Sequence, residues 1–349
     1  MEHYLENTDF KRIRDILDKS VKIVITTHTN PDGDAIGASL AMYLYLRKQG
    51  KQVSVIIPDT YPDFLAWMPE TRNILVFEHE AAKCSDLVKA ADVVACIDFN
   101  NLGRLNELGR EVRNSPAIKV LIDHHLYPSA DFEIKISYDK ISSTSELIYD
   151  FIVASGRKSS LDKSIAECLY AGIVTDTGSF SYSCNYVKTY QIIAELFRLG
   201  IDGEHIHRLV YDTYSENRLR LLGYAISNGL TVIQDSHTAY IILRKEDLHR
   251  FNYQIGDTEG VVNYALSIKD INLAALFMER DDHVKVSFRS KGNFSVDRLA
   301  REYFGGGGHS NASGANCLTS VDETVNRFLS LLPGFQEKLS NVYNGRDEQ

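Results

Sequence analysis

The first 125 residues alternate short apolar runs with helix-forming segments, and this alternation constrains the fold more than any other feature. Strands are expected over Lys22–Thr27, Gln52–Ile57, Asn73–Phe77, Asp92–Asp98 and Ile118–Asp123. Between them, Ala35–Gln49, closed by Gly50, and Ala81–Ala91 carry helical periodicity. Val/Ile-rich runs without polar alternation suit strands buried on both faces, and alternation with helices suits a parallel sheet. The expectation is an α/β fold: an N-terminal doubly wound, mainly parallel sheet domain, joined by helices to a smaller α/β C-terminal domain.

The 349 residues suit two domains at roughly 150 residues each. From Ser143 to about Gly229 the pattern turns helical. STSELIYDFIVAS opens on a Ser/Thr cap, with Glu146 spaced for a capping box from Ser143, and Lys163–Ile173 and Lys188–Leu199 follow. Thr231–Gln234 with Ala239–Leu243, and Leu273–Glu279 with His283–Arg289, read as two hairpins. Helices are expected near Gly260–Ile268 and Val296–Tyr303. The expected divisions are residues 1–185, a helical connector over 186–229, a second domain over 230–340 and a tail over 341–349.

Composition removes several classes. A chain 44% hydrophobic and 24% charged is neither disordered nor a disulfide scaffold. No apolar run approaches the roughly 20 residues that span a bilayer, and MEHYLENTDFKRIRD lacks the apolar core of a signal peptide. Cys84, Cys96, Cys168, Cys184 and Cys317 form no CxxC pair and are odd in number, which suits a reduced, cytoplasmic setting. Forty-seven acidic residues against 38 basic give a net charge of −9. Proteins that grip long nucleic acids by their phosphates are usually basic, so a nucleic-acid substrate would be short.

Chemistry concentrates where the apolar runs end. TTHTNPDGDAIG, Thr26 to Gly37, places His28, Asp32 and Asp34 in the loop after the first strand. Open α/β sheets bind ligands at that edge. Asp32 and Asp34 flank a glycine in a Pro-Asp-Gly turn, so both carboxylates can converge. Imidazole with carboxylates is a ligand set for Mn²⁺, Fe²⁺, Co²⁺ or Zn²⁺. Taken alone, the run reads equally well as a polar turn.

Three further sites break the tie. Asp98 closes VVACI and is followed by Phe99–Asn101 and Arg104; Asp123 closes KVLID and is followed by His124 and His125. Asp176 stands between two threonines in GIVTDTGSF. An acid after a strand is often only a helix cap. Four such sites with this content of His and Asp point instead to one crevice holding two metal ions.

HTNPDGDAIG, VVACIDFNNLGR, LIDHH and GIVTDTGSF resemble, in order and spacing, the four motifs of the DHH phosphoesterase superfamily, over roughly residues 20–185. SFRSKGNFSVDRLAREYFGGGGHSNASG, Ser287 to Gly314, resembles the glycine-rich signature of the type-1 DHH-associated domain. The resemblance implies that His28, Asp32 and Asp98 hold one metal, while Asp34, Asp98, His124 and Asp176 hold the other, with Asp98 bridging. It implies that Asp123 supports the site by orienting a histidine, and that His125 faces the substrate and donates to the scissile phosphate. Manganese is the expected metal of both sites, with Mg²⁺ and Co²⁺ as alternatives. Two such cations about 3.5–4 Å apart acidify a bridging water, so no Ser or Cys nucleophile is needed. Cys96 then reads as core.

Gly305, Gly306, Gly307 and Gly308 precede His309. Glycine N–H groups can cradle a phosphate, and Arg289 suits bidentate phosphate contact. With the resemblance, these residues read as a substrate-phosphate clamp; without it, as a flexible turn. Ser313 replaces the second alanine of the usual His-x-x-Ala-Ala-Gly ending, a change that touches packing. Arg104 reads as a phosphate contact or a surface ion pair. Tyr182, Tyr211, Tyr214 and Phe304 read as base-stacking candidates or core. Glu259 and Asn263 read as cap or surface residues.

Within the superfamily, inorganic pyrophosphatases carry a different C-terminal domain. RecJ-type exonucleases add an OB-fold for which this length leaves no room. Cyclic-dinucleotide phosphodiesterases add membrane and sensor domains, although soluble relatives cleave linear pApA. The compact two-domain form is most similar to the nanoRNase/pAp phosphatase group. That implies hydrolysis of very short RNA to mononucleotides, with pAp to AMP as a second activity. No long duplex and no membrane partner is expected, and a homodimer is compatible with the sequence. A nucleotide sensor with degenerate catalysis would have lost a ligand; His28, Asp32, Asp34, Asp98, His124 and Asp176 are all present.

Overall fold

The computed structural model describes residues 8–182 and 184–342, so the expected tail lies outside the described residues beyond Val342. The chain forms two units, Met1–Thr213 and Tyr214–Gln349. The helices expected as a connector fall on both sides of that division.

The first unit runs α1 (Thr8–Lys19), β1 (Lys22–Thr26), α2 (Gly33–Arg47), β2 (Gln52–Ile57), β3 (Leu75–Val76), α3 (Phe77–Lys89), β4 (Val93–Ile97), α4 (Asn106–Asn114), β5 (Ile118–Asp123), β6 (Ile134–Ser137), α5 (Thr144–Ala154), α6 (Lys163–Asp176), α7 (Val187–Arg198) and α8 (Gly203–Tyr211). Its strands form one parallel sheet in the order β3-β2-β1-β4-β5-β6. Residues of β1 alternate between two apolar layers: Ile23 and Ile25 join one, Val24 the other. Val93, Ala95 and Ile97 of β4 likewise oppose Val94 and Cys96. A strand covered on both faces has no polar side to show, which explains the unbroken apolar runs. Helix α2 is buried almost all round, so it lacks the usual polar stripe. The chain leaves β1 toward β2 and β3, then returns to β4 on the opposite side. That reversal opens a crevice at the carboxyl ends of β1 and β4.

The second unit runs α9 (Glu216–Tyr224), a π-helical turn over Ala225–Gly229, β7 (Leu230–Ile233), β8 (Thr238–Leu243), α10 (Lys245–Arg250), α11 (Val261–Leu266), β9 (Leu273–Glu279), β10 (Val284–Ser290), α12 (Val296–Phe304), β11 (Gly307–Gly308), β12 (Ala312–Cys317), α13 (Val321–Leu331) and α14 (Gln336–Ser340). The sheet order is β11-β12-β10-β9-β8-β7. Both expected hairpins form, and β8 pairs parallel with β9 after a crossover through α10 and α11. Leu273, Ala275 and Phe277 face one apolar layer, and Ala274, Leu276 and Met278 the other. This unit is therefore a mixed sheet with helices on both faces.

Candidate metal centre

The loop after β1 brings three polar side chains to the crevice. His28 is buried, and its Nδ1 lies 2.8 Å from the Thr29 carbonyl oxygen. Nδ1 therefore donates, which leaves a lone pair on Nε2, 3.6 Å from Asp98 Oδ2. Asp32 caps α2: its Oδ1 accepts the N–H groups of Asp34 and Ala35, each at 3.0 Å. The cap uses one oxygen of Asp32 and leaves the second for other use. Asp34 is buried in the first turn of α2 and accepts from the N–H groups of Thr144 and Ser145, at 2.7 and 2.8 Å.

Asp98 follows β4 with φ 66°, in the left-handed region that disfavours residues with a Cβ. Strain of this kind persists where surrounding contacts enforce it, and here the Asp98 N–H bonds the Ile122 carbonyl while Oδ1 accepts the Thr144 hydroxyl at 2.7 Å. His124 is buried beyond β5, and its ring is hydrogen-bonded to the Ile141 backbone. Its Nε2 lies 3.5 Å from Asp176 Oδ2, 3.6 Å from Asp98 Oδ1 and 3.9 Å from Asp34 Oδ2. These separations are too long for good hydrogen bonds. They suit donors that share one cation.

Several groups of ligand-type atoms lie inside 4.8 Å of one another: His28 with Asp32 and Asp98, Asp34 with His124 and Asp176, and Asp98 with Asp123 and His125 are three of them. Asp98 turns Oδ2 toward His28 and Oδ1 toward His124, so it faces both. Burial first, and the neighbouring Asp98 second, holds Asp34 well above the usual carboxylate range. Burial, then Asp32 and Asp123, does the same to Asp98. Burial pushes His124 down to about 4, and burial followed by the Arg104 charge lowers His28. Both imidazoles are neutral at neutral pH, which is the form that binds metals. Buried negative charge of this density needs a positive partner, and this donor set fits divalent metal ions.

Asp123 stands behind these groups. Its Oδ1 accepts from His125 Nδ1 at 2.7 Å, while its buried Oδ2 has no hydrogen-bond partner. His125 Nε2 lies 3.1 Å from Arg104 Nη1, and the Arg104 carbonyl accepts the Thr29 N–H. Arg104 is thereby turned into the crevice, not out to a surface ion pair. Asp34 and Asp176 meet because α2 and α6 approach closely through Gly37 and Gly172. A Cβ on Gly172 would collide with Ser145 Oγ and the Asp34 carboxylate.

Thr144 and Ser145 were not legible as site residues, because STSE reads as a helix start. Ser143 does cap α5, accepting from the Glu146 N–H at 3.2 Å. The expected reciprocal bond is replaced: the Glu146 carboxylate accepts from Ser142 Oγ at 2.5 Å and Thr189 Oγ1 at 2.8 Å. Thr189 lies 43 residues downstream, beyond the reach of a local pattern.

In the second unit, Arg289 is half-buried on β10, with Nη1 3.0 Å from the Phe288 carbonyl oxygen. The glycine run is ordered by internal bonds. Gly305 ends α12 at φ 66°, the N–H groups of Gly305 and Gly306 reach the Ala300 carbonyl, and the Gly308 N–H donates to buried Asp297 at 2.8 Å. Those three donors serve the fold, so the idea of a cradle of free N–H groups needs correction. Glycine is required because β12 passes so near that a Cβ on Gly306 would strike the Gly314 carbonyl. His309 follows in a tight turn closed by its N–H on the Ala312 carbonyl at 2.7 Å. The Ser313 hydroxyl donates to the Val296 carbonyl at 2.7 Å, which accommodates the departure from alanine.

The remaining aromatics divide. Tyr182 is exposed with its ring against Gly178. Tyr211 donates to the Val174 carbonyl. Tyr214 lies under the Arg218 guanidinium, and Phe304 is core against Phe288.

Fold and site together define a metal-dependent phosphoesterase. A profile described as DHH family, N-terminal domain, matches residues 22–173, and a DHHA1 domain profile matches residues 238–337. A probable bifunctional oligoribonuclease and PAP phosphatase NrnA from Streptococcus mutans is 30% identical over 318 residues, spanning 90% of this chain and 96% of its own length. The bifunctional oligoribonuclease and PAP phosphatase NrnA of Bacillus subtilis is 28% identical, spanning 86% of this chain and 90% of its own. The crystal structure of an exopolyphosphatase-related protein from Bacteroides fragilis superposes with a TM-score of 0.90 at 44% identity, covering 95% of this chain and 97% of that one. The chain belongs to the DHH family.

Proposed function

We propose that the chain is a manganese-dependent phosphoesterase that hydrolyses very short oligoribonucleotides to mononucleotides and also converts pAp to AMP. The grouping of His28, Asp32 and Asp98 beside Asp34, His124 and Asp176, with Asp98 facing both imidazoles, is the observation that carries it. In this reading the first three residues hold one cation, the second three hold the other, and Asp98 is common to both. When bound, the cations would supply an acidified water and neutralise charge on the phosphate oxygens.

The remaining chemistry falls to side chains of the chain itself. His125 is oriented by Asp123 and presents Nε2 beside Arg104. Arg104 can only donate, so it holds Nε2 as an acceptor. Once Arg104 turns to the phosphate, a His125 protonated on both nitrogens would donate from Nε2 to the leaving oxygen, while Nδ1 stays bonded to Asp123. Arg104 gives a phosphate oxygen a charged donor. No thiol takes part: burial holds Cys96 and Cys168 well above the ordinary range.

Substrate choice rests on the two relatives named as oligoribonuclease and PAP phosphatase, and on the net charge of −9, which disfavours a long phosphate track. Arg289 and His309 serve as phosphate contacts in the second unit. Five free, buried cysteines support a reducing, cytoplasmic setting. Treatment with a chelator should abolish pApA hydrolysis, and added Mn²⁺ should restore it. Hydrolysis that survives complete metal removal would refute the reading.

A further inference from the structure

Thr144 opens α5 and touches two carboxylates of the centre. Its hydroxyl donates to Asp98 Oδ1 at 2.7 Å, and its backbone N–H donates to Asp34 Oδ2 at 2.7 Å. The Ser145 N–H completes the set on Asp34 Oδ1 at 2.8 Å. The first N–H groups of a helix have no partner within it; here two of them meet an acid 110 residues earlier in the chain. The positive end of the helix favours that anion. Thr144, Ser145 and both acids are buried, so water does not compete for these bonds.

The orientation that results is specific. Asp98 Oδ1 is held by Thr144, which leaves Oδ2 directed at His28, 3.6 Å away. Both oxygens of Asp34 are held in the plane set by two adjacent N–H groups. Helix α5 is itself braced from α7: Thr189 donates to Glu146, and Lys188 to Asp150 at 2.5 Å. The first turn of α5 is thus tied on one side to the centre and on the other to a second helix.

We propose that Thr144 is a positioning residue, whose hydroxyl, with the N–H pair at the start of α5, sets the orientation in which Asp98 and Asp34 receive divalent cations. The proposal rests on the metal-centre reading above. Carboxylates left to rotate would have to be ordered at each binding event, whereas these are ordered beforehand. A role in packing alone makes the opposite prediction, because the γ-methyl of Thr144 would then matter and the hydroxyl would not.

The test titrates Mn²⁺ calorimetrically into the metal-free full chain, with its melting transition recorded to show that each variant is folded. Thr144→Val keeps the shape without the hydroxyl and should weaken Mn²⁺ binding about 10–100-fold. Thr144→Ser keeps the hydroxyl without the methyl and should bind like wild type. Full affinity in Thr144→Val with a loss in Thr144→Ser would overturn the proposal while leaving the metal centre intact. A wild-type chain that takes up no divalent cation would overturn both. Should Thr144→Val fail to fold, Thr144→Ala against Thr144→Ser reads the same difference.

Discussion

Asp123 and His125 are joined by a 2.7 Å hydrogen bond between Oδ1 and Nδ1, two residues apart on one chain at the end of β5. The bond fixes which nitrogen of His125 faces Arg104. Asp123→Asn keeps the shape but exchanges an anion for a neutral amide. It should lower kcat about 10–100-fold with Mn²⁺ affinity nearly unchanged, read from steady-state kinetics beside calorimetry. A collapse of metal affinity would instead make Asp123 a ligand.

Asp98 combines a left-handed backbone, full burial and a raised carboxyl. Asparagine tolerates that backbone better than most residues and carries no charge. Asp98→Asn should therefore raise the melting temperature of the metal-free protein by a few degrees, about 1–2 kcal/mol, while removing Mn²⁺ binding. Stability and function then oppose each other at one side chain. A variant less stable than wild type would show that Asp98 is held without strain.

Gly172 and Gly223 make a matched pair. Both are helical, but a Cβ on Gly172 meets Ser145 and Asp34, whereas nothing surrounds Gly223. Gly172→Ala should displace the start of α5 and weaken metal binding. Gly223→Ala should stabilise the chain by about 0.5–1 kcal/mol and leave metal binding alone. Thermal melts and Mn²⁺ titrations of the two variants check both statements.

The raised carboxyls give a pH dependence of defined sign. Folded Asp34, Asp98 and Asp123 hold protons more tightly than unfolded carboxylates, with Asp123 at about 7. Their contribution to metal-free stability is therefore fully present below the unfolded carboxylate range and is lost as pH rises through the folded values, for Asp123 about 7. Cations require the ionised forms of Asp34 and Asp98, both raised above the usual carboxylate range, so Mn²⁺ affinity rises with pH and binding releases protons. Calorimetry in two buffers of different ionisation enthalpy counts those protons; an affinity independent of pH would contradict the assignment.

Arg289 is half-buried on a central strand of the second unit. Arg289→Ala should raise KM for pApA by about tenfold or more, in line with the loss of a charged hydrogen bond, with kcat little changed. An unaltered KM would remove it from substrate binding.

What the sequence revealed followed physical range. His28, Asp32, Asp34, Asp98 and His124 stood out as candidates because each follows an apolar run or a recognisable turn; Asp176 rested on the family resemblance, since a lone TDTG is a weak signal. Strand β6 was not legible, since Ile134–Ser137 is short and only alternately buried. Thr144 was hidden by its neighbour: Ser143 is the true cap, and the second hydroxyl looks redundant until Asp98 is placed against it. The glycine run misled for a related reason. Its four N–H groups look available in one dimension, but Ala300 and Asp297 occupy those of Gly305, Gly306 and Gly308 in three.

The central claim is tested most directly by product release from the manganese-loaded protein. Equal concentrations of pApA, pAp, pyrophosphate and a single-stranded DNA of about two dozen nucleotides would be offered and resolved by chromatography. The account predicts rapid AMP from pApA, slower or comparable AMP from pAp, and a nearly intact DNA strand. Preferential digestion of the long strand or of pyrophosphate would contradict it, and no turnover of any of the four would leave a nucleotide-binding protein in place of an enzyme.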